Sequence, residues 1–353
     1  YQTRYPNGEA SDRVRQRLAG IVTADDATKP ALRASKWQQQ KRSGNRDAPS
    51  TWTVSGSAAQ FYIRDDSFRR MHDPSLPRAI NEEADLHRVH QNELLSSLDL
   101  LATWQGGGVK SKFRFSGAEE HRLDDHDDRD IVSVAALFFE TAVKDWGTEA
   151  RVGRQTRNNG GVLGRFDGAL VGYQVQDQVR VNAVVGSPVA RRSDEPFKDE
   201  KLFFGASVDF GPFFGGVDAS VFFIEQQADG VLDRRAVGAE LRYIDPTKAA
   251  FATFDYDIHY QALNAALLSG SLTLADKSTL HAGFDYRKSP YLSTWTALQG
   301  QQYPTLFELL KVKTLAEAEA LALDRTSTYT AGTLGFSRPI NDTFQVSLDA
   351  TVT

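Results

Sequence analysis

From Thr343 to Thr353 the chain alternates without a break. Phe344, Val346, Leu348, Ala350 and Val352 fall on one face; Gln345, Ser347, Asp349 and Thr351 fall on the other. Successive side chains of an extended chain point to opposite sides, so this pattern dictates a strand with one apolar and one wet face. The same code runs through residues 179–186, 202–210, 237–243, 251–260 and 280–287. A chain written this way must be all-β, and it must present a polar surface and an apolar surface along most of its length.

Fifteen strands are expected on this pattern, over 52–64, 93–104, 109–118, 131–144, 148–155, 165–174, 179–186, 202–210, 216–225, 234–243, 250–259, 263–274, 278–287, 328–336 and 343–353. Most run about 8–12 residues, longer than the roughly 5–6 of globular sheets and close to the roughly 9–11 of a tilted membrane strand. The connections take turns in length. Short ones at 105–108, 146–147, 175–178, 211–215, 244–249, 275–277 and 338–342 alternate with long ones at 65–92, 119–130, 156–164, 187–201, 226–233 and 288–327. The link near 260–262 is the exception. This is the plan of an outer-membrane barrel, with short periplasmic turns and long outer loops, and in that phase the N-terminus is periplasmic.

Composition agrees. A barrel strand is polar at every second residue, so a mean hydropathy of −0.42 fits a membrane barrel as well as a soluble chain. No run nears the roughly 20 apolar residues of a membrane helix. With no Cys, disulfides and thiolate metal sites are excluded. Lys plus Arg is 41 against 46 for Asp plus Glu, so there is no general nucleic-acid footprint. Tyr1 opens the chain without a basic or apolar leader, which reads as a mature or trimmed product.

A soluble sandwich or propeller is the competing fold. Its buried face should carry bulky Leu, Ile and Val, whereas here Ala, Gly and Val mix with aromatics at strand ends (Phe210, Tyr243, Tyr260, Tyr286), as in interfacial girdles. The polar faces are highly charged. Arg151, Arg154, Arg165, Asp167, Arg180, Glu240, Arg242, Asp255, Asp257, Asp285 and Arg287 are the residues expected to line a wet lumen of mixed sign. Residues 1–50 read as a polar linker or the tail of a preceding periplasmic domain, with a short helix at 13–21.

The long link 288–327 has its own signals. Thr305 with Glu308, and Thr314 with Glu317, are capping boxes, predicting helices over 306–313 and 315–323. Leu306, Leu309, Leu310 and Leu315 need something to pack against, and Asp324 and Arg325 are placed to pin the returning chain to the wall. Such a loop is an outer lid or a plug. Chemistry is sparse. His87 and His90 have no third metal partner, the acidic run 124–130 lacks the glycine and closing glutamate of a calcium loop, and His259 near Asp255 and Asp257 has no marked nucleophile. Neither enzyme activity nor a cofactor is expected. The Arg154, Arg157 and Arg165 cluster reads either as a basic patch for an anionic solute or as a structural network.

The segments GRQTRNNGGVLGRFDG (153–168), DRRAVGAELRY (233–243), FDYDIHYQALNAALL (254–268), FDYRKSPYLSTWTALQGQ (284–301) and ALDRTSTYTAGTLGFSRPI (322–340) resemble the C-terminal barrel of large Gram-negative outer-membrane proteins that carry tetratricopeptide repeats before it. The resemblance spans roughly 50 to 353. It is similar in plan to exopolysaccharide-secretion porins and implies an export conduit fed from the periplasm. It implies no catalytic residues. Its partners would be outer-membrane lipid and lipopolysaccharide, the barrel-assembly machinery, and a periplasmic repeat domain or export partner. A diffusion porin and a plugged barrel serving as anchor or assembly platform are the alternatives. Barrels of one chain have an even strand number, so an antiparallel up-and-down barrel of about sixteen strands or more is expected, incomplete at Thr353 because no terminal aromatic closes the last strand.

Overall fold

The computed structural model describes residues 49–69, 86–123, 130–196, 200–213, 215–341 and 343–353. Residues 1–48, with the helix expected at 13–21, most of the loop 65–92 and nearly all of the acidic run lie outside them. Fifteen strands form one antiparallel meander in which each strand pairs with its sequence neighbours. They are β1 (Thr51–Arg69), β2 (Leu86–Gly106), β3 (Val109–Arg122), β4 (Ile131–Val143) and β5 (Thr148–Arg157), then β6 (Gly164–Gln176), β7 (Val179–Pro188), β8 (Lys201–Phe213), β9 (Val217–Ala228) and β10 (Val231–Ile244). The series ends with β11 (Lys248–Asp257), β12 (Ala262–Thr273), β13 (Thr279–Ser289), β14 (Ser327–Pro339) and β15 (Gln345–Val352). Among the described residues, β1 pairs only with β2 and β15 only with β14, so the sheet has two free edges and is not closed.

Register fixes the faces, because residues directly opposite each other share a side. Glu240 opposes Ser220 and Thr253, while Val221 opposes Val208 and Ala239. Burial on the two faces is the reverse of a soluble sheet. Val152, Val171, Phe204, Val221, Phe254 and Phe284, all from the apolar face, are each at least 40% exposed. Arg151, Asn182, Ser207 and Asp255, from the polar face, are at most 9% exposed. Among the described residues no second sheet covers either face. A single layer can bury one face only by curling towards it, so the polar face is concave.

Turn chemistry sets the ends. At one end Gly107–Gly108 joins β2 to β3, with both residues at positive φ. At the other, Asp229–Gly230 joins β9 to β10, with φ of 51° and 76°. This two-residue turn corrects the long link expected over 226–233. Asp-Gly is a strong hairpin signal, because both central residues must enter the left-handed region. Strand β11 stops at Asp257, and residues 258–261 form a turn with Gln261 at φ 51°. Tyr260 therefore leaves the lipid-side girdle proposed for it. Tyr243 and Phe210 do lie on the apolar face, opposite Ala250 and Val179.

The link from β13 to β14 folds as a 3-10 turn (Thr294–Leu298), a single helical turn α1 (Leu306–Leu309) and helix α2 (Leu315–Asp324). The Thr305 hydroxyl accepts from Glu308 N–H, but α1 stops four residues short of its expected end. The Thr314–Glu317 capping box is complete. Nothing in the sequence reading anticipated the 3-10 turn.

Candidate functional site

The concave face carries a belt of paired charges from β2 to β13. Arg114 donates to Asp99 at 2.6 Å, Arg151 Nε to Glu140 at 2.6 Å, and Arg180 to Glu149 at 2.9 Å. Arg180 also reaches Asn182, whose amide donates to Asp209 at 2.7 Å, and Ser220 donates to the same carboxylate. Arg242 pairs with Asp218, and Arg234 with Asp255. Arg287 and Asp285 lie 3.4 Å apart on the same face of β13. Asp257 is also on this face but is fully buried, its carboxylate accepting the N–H groups of His259 and Tyr260 at 2.9 Å. It caps a turn.

Arg154, Asp167 and Arg165 lie on the other side, which corrects their placement on the polar face. Arg154 opposes Asp167 two residues beyond the Val152–Ala169 pair, so all four share the apolar face. Alternation assigns charged residues to the wet side only where one side is in lipid. Past the end of the apolar band both sides are polar. Here Arg154 makes a bidentate pair with Asp167, at 2.8 Å for each bond. Its remaining N–H groups donate to the backbone oxygens of Val134, Arg192 and Asp194.

The link between β5 and β6, residues 158–163, turns inward across the concave face. Gly160 N–H donates to Glu240 at 2.8 Å, and Arg234 donates to Gly161 O at 3.2 Å. Val162 joins Phe166, Val184, Phe203, Ile224 and Ala236 in a small apolar cluster under the loop. Gly161 has φ 78°, and a Cβ there would sit 2.7 Å from the Phe222 ring, so only glycine fits. Arg157 donates to Asn159 at 2.7 Å and to Ser207 at 3.2 Å, fixing the base of the loop. The loop narrows the space above Asn182, Ser207 and Glu240.

The β13–β14 link is a lid on the same end of the sheet. Leu306 and Leu309 are fully buried with Ala228, Ala297, Ala318 and Ala322, and Leu310 packs at the margin. Leu315 is 43% exposed and leaves the expected stripe, because the buried face of α2 is alanine, which lets the helix approach the 3-10 turn closely. Rim carboxylates hold the lid down. Asp229 accepts from Leu306 N–H at 2.7 Å, and Asp233 from Trp295 N–H at 2.7 Å. Arg325 donates to Ala297 O and Gln299 O, so it ties the lid to itself rather than to the wall. Asp324 is exposed and anchors nothing among the described residues. His259 hydrogen-bonds Glu319 at 3.0 Å, and Tyr260 bonds Thr294 at 2.8 Å. His259 thus serves as a lid contact.

One lid group, Glu317, and one turn group beneath the lid, Tyr260, are pH-sensitive. The Thr314 backbone and hydroxyl donors hold the Glu317 carboxyl below its usual range, and burial pushes the Tyr260 hydroxyl up. A depressed carboxylate contributes stability above its unfolded value, near 4.5, and loses it as pH falls. A raised phenol contributes below 10 and loses it as pH rises. Hydrogen-exchange protection of residues 305–326, relative to the intrinsic rate at each pH, is therefore expected to be flat from about pH 5 to 9 and to fall on both sides. In Glu317→Gln the acid limb should vanish.

No family model matches the chain, and no curated protein matches it. Among solved structures it is similar to a mutant of Rh. blastica porin, at 11% identity over 85% of this chain and 94% of that one, with a TM-score of 0.41. It is also similar to Salmonella typhi OmpF in complex with daunomycin, at 8% identity over 88% and 91%, with a TM-score of 0.41.

Proposed function

We propose that the chain forms the wall of an outer-membrane channel that passes small polar solutes by diffusion. The inverted burial carries this reading. An apolar belt present on nearly every strand far exceeds the few hundred Å² that a soluble monomer exposes, and it needs lipid. The concave face, with paired charges of both signs and an inward loop, suits a water-filled passage whose width is set by residues 158–163 and by the lid. Belt margins support the same orientation. Phe204 and Phe210 lie six residues apart on the apolar face of β8, about 20 Å along the strand, which a tilt of roughly 40° makes about 15 Å of height, inside the roughly 25 Å band of such barrels. The export reading rests on the resemblance alone and has no counterpart among the described residues.

Planar-bilayer recording tests the channel. The full chain should give discrete conductance steps, and deleting 300–322 should raise them while heat-modifiable migration persists. Absence of any steps from correctly folded chain would favour a plugged wall.

A further inference from the structure

The charges on the convex face call for an explanation, because the middle of that face is apolar. One pair, Arg235 and Glu225 beside Phe204, is closed on itself at 2.7 Å. Arg154 and Asp167 neutralise each other. Arg165 lies beside them, two residues from Asp167 on the same face, within electrostatic reach of Arg154 and Arg192. Its Nε donates to Ala135 O at 3.1 Å, and no carboxylate pairs with its guanidinium among the described residues.

The β7–β8 link brings two more cations to this place. Val189 N–H donates to Arg165 O at 2.9 Å. Arg192 O accepts from Val134 N–H at 2.8 Å and from Arg154 at 3.1 Å, and Asp194 O accepts from Arg154 at 2.9 Å. The link's backbone is thus bolted onto the free upper half of β4, which pairs with β5 only from Leu137 onward. Arg191 and Arg192 are left with exposed side chains. Nearby acids are Asp194, whose carboxylate accepts Arg191 N–H at 2.7 Å, and exposed Glu195. The height is defined by the aromatics. Phe204 and Phe223, 6.4 Å apart between ring centres, mark the margin of the apolar band on neighbouring strands. Phe204 opposes Val185, one face-step before Ser187, which opposes Asp167.

We propose that Arg165, Arg191 and Arg192 form a docking site for the phosphate of a membrane lipid headgroup, on the convex wall just above the apolar band. The proposal rests on the membrane reading. Guanidinium groups bind phosphate through paired N–H donors, and a site at this level meets headgroups while lipid tails lie against Val152, Val171 and Val185. A soluble anion would have no reason to prefer the outer wall.

The test is lipid retention by the full chain in detergent, read by native mass spectrometry. The probes are lipid A, its dephosphorylated form, and inorganic phosphate as competitor. Lipid A should be retained in preference to the dephosphorylated form. The combined Arg165→Gln, Arg191→Gln and Arg192→Gln variant should lose about ten-fold or more of that retention, and the corresponding lysine variant should keep most of it. Arg192→Gln alone, on an exposed loop residue, should lose part of it and guards against misfolding of the triple variant. Unchanged retention in both glutamine variants would overturn the proposal, as would displacement of the lipid by equimolar phosphate. Conductance separates this from the channel reading. A conducting chain with unchanged retention contradicts the lipid site only, whereas a lipid-retaining chain that never conducts contradicts the channel only.

Discussion

Val221→Arg should block assembly of the folded wall, while Ser220→Arg next to it should be tolerated. Val221 sits mid-strand on β9, 47% exposed, opposite Val208 and Ala239 on the apolar face. A guanidinium held there near mid-bilayer costs about 2–4 kcal/mol, enough to shift a marginal fold. Ser220 faces the concave side and already bonds Asp209 at 2.7 Å, so an arginine there gains an acidic neighbour. Heat-modifiable migration and protease resistance of membrane-inserted protein read the difference. Equal loss in both variants would invalidate the face assignment.

Asp167→Ala should be among the most destabilising substitutions of the wall. Asp167 is 2% exposed and Arg154 4%, and removing one member of a buried pair strands the other at a cost of about 3–5 kcal/mol. The three carbonyls that also hold Arg154 put the expected loss near the lower end, about 3 kcal/mol. The β7–β8 link should loosen with it, because Arg154 joins Arg192 and Asp194 to β5 and leaves only the Val134–Arg192 bond to β4 beside it. Asp285→Ala is the control. Its arginine partner is 50% exposed, so the loss should stay within about 1 kcal/mol. Denaturant midpoints of refolded protein in detergent measure both, and matching shifts would contradict the buried-pair account.

All fifteen strands could be read from the alternation because each strand carries its own face code, as in Leu280, Ala282, Phe284 and Tyr286 against His281, Gly283, Asp285 and Arg287. The capped starts of both lid helices were equally local, since a capping box closes within four residues. What escaped was set by contacts remote in sequence. Gly160 meets Glu240 across 80 residues, and Leu306 meets Asp229 across 77, with no nearby pattern to announce either. Alternation also says which residues share a face but not where the apolar band ends, so Arg154, Arg165 and Asp167, beyond its end, lie on the convex side rather than the expected polar one. Asp229–Gly230 carries a local turn signal, but polar Gln226, Gln227 and Asp233 at the strand ends make the link look longer than it is.

The absence of native cysteine makes one experiment especially direct. Single cysteines placed at each position from 280 to 287 on β13 can be probed in lipid bilayers with a membrane-impermeant maleimide and with lipid-borne quenchers of an attached fluorophore. A wall spanning the membrane predicts period-two behaviour. Positions 280, 282, 284 and 286 should be quenched from lipid and resist the aqueous reagent, while 281, 283, 285 and 287 should label from water. Uniform aqueous labelling of all eight positions in correctly folded protein would contradict a lipid-facing apolar surface, and with it the channel.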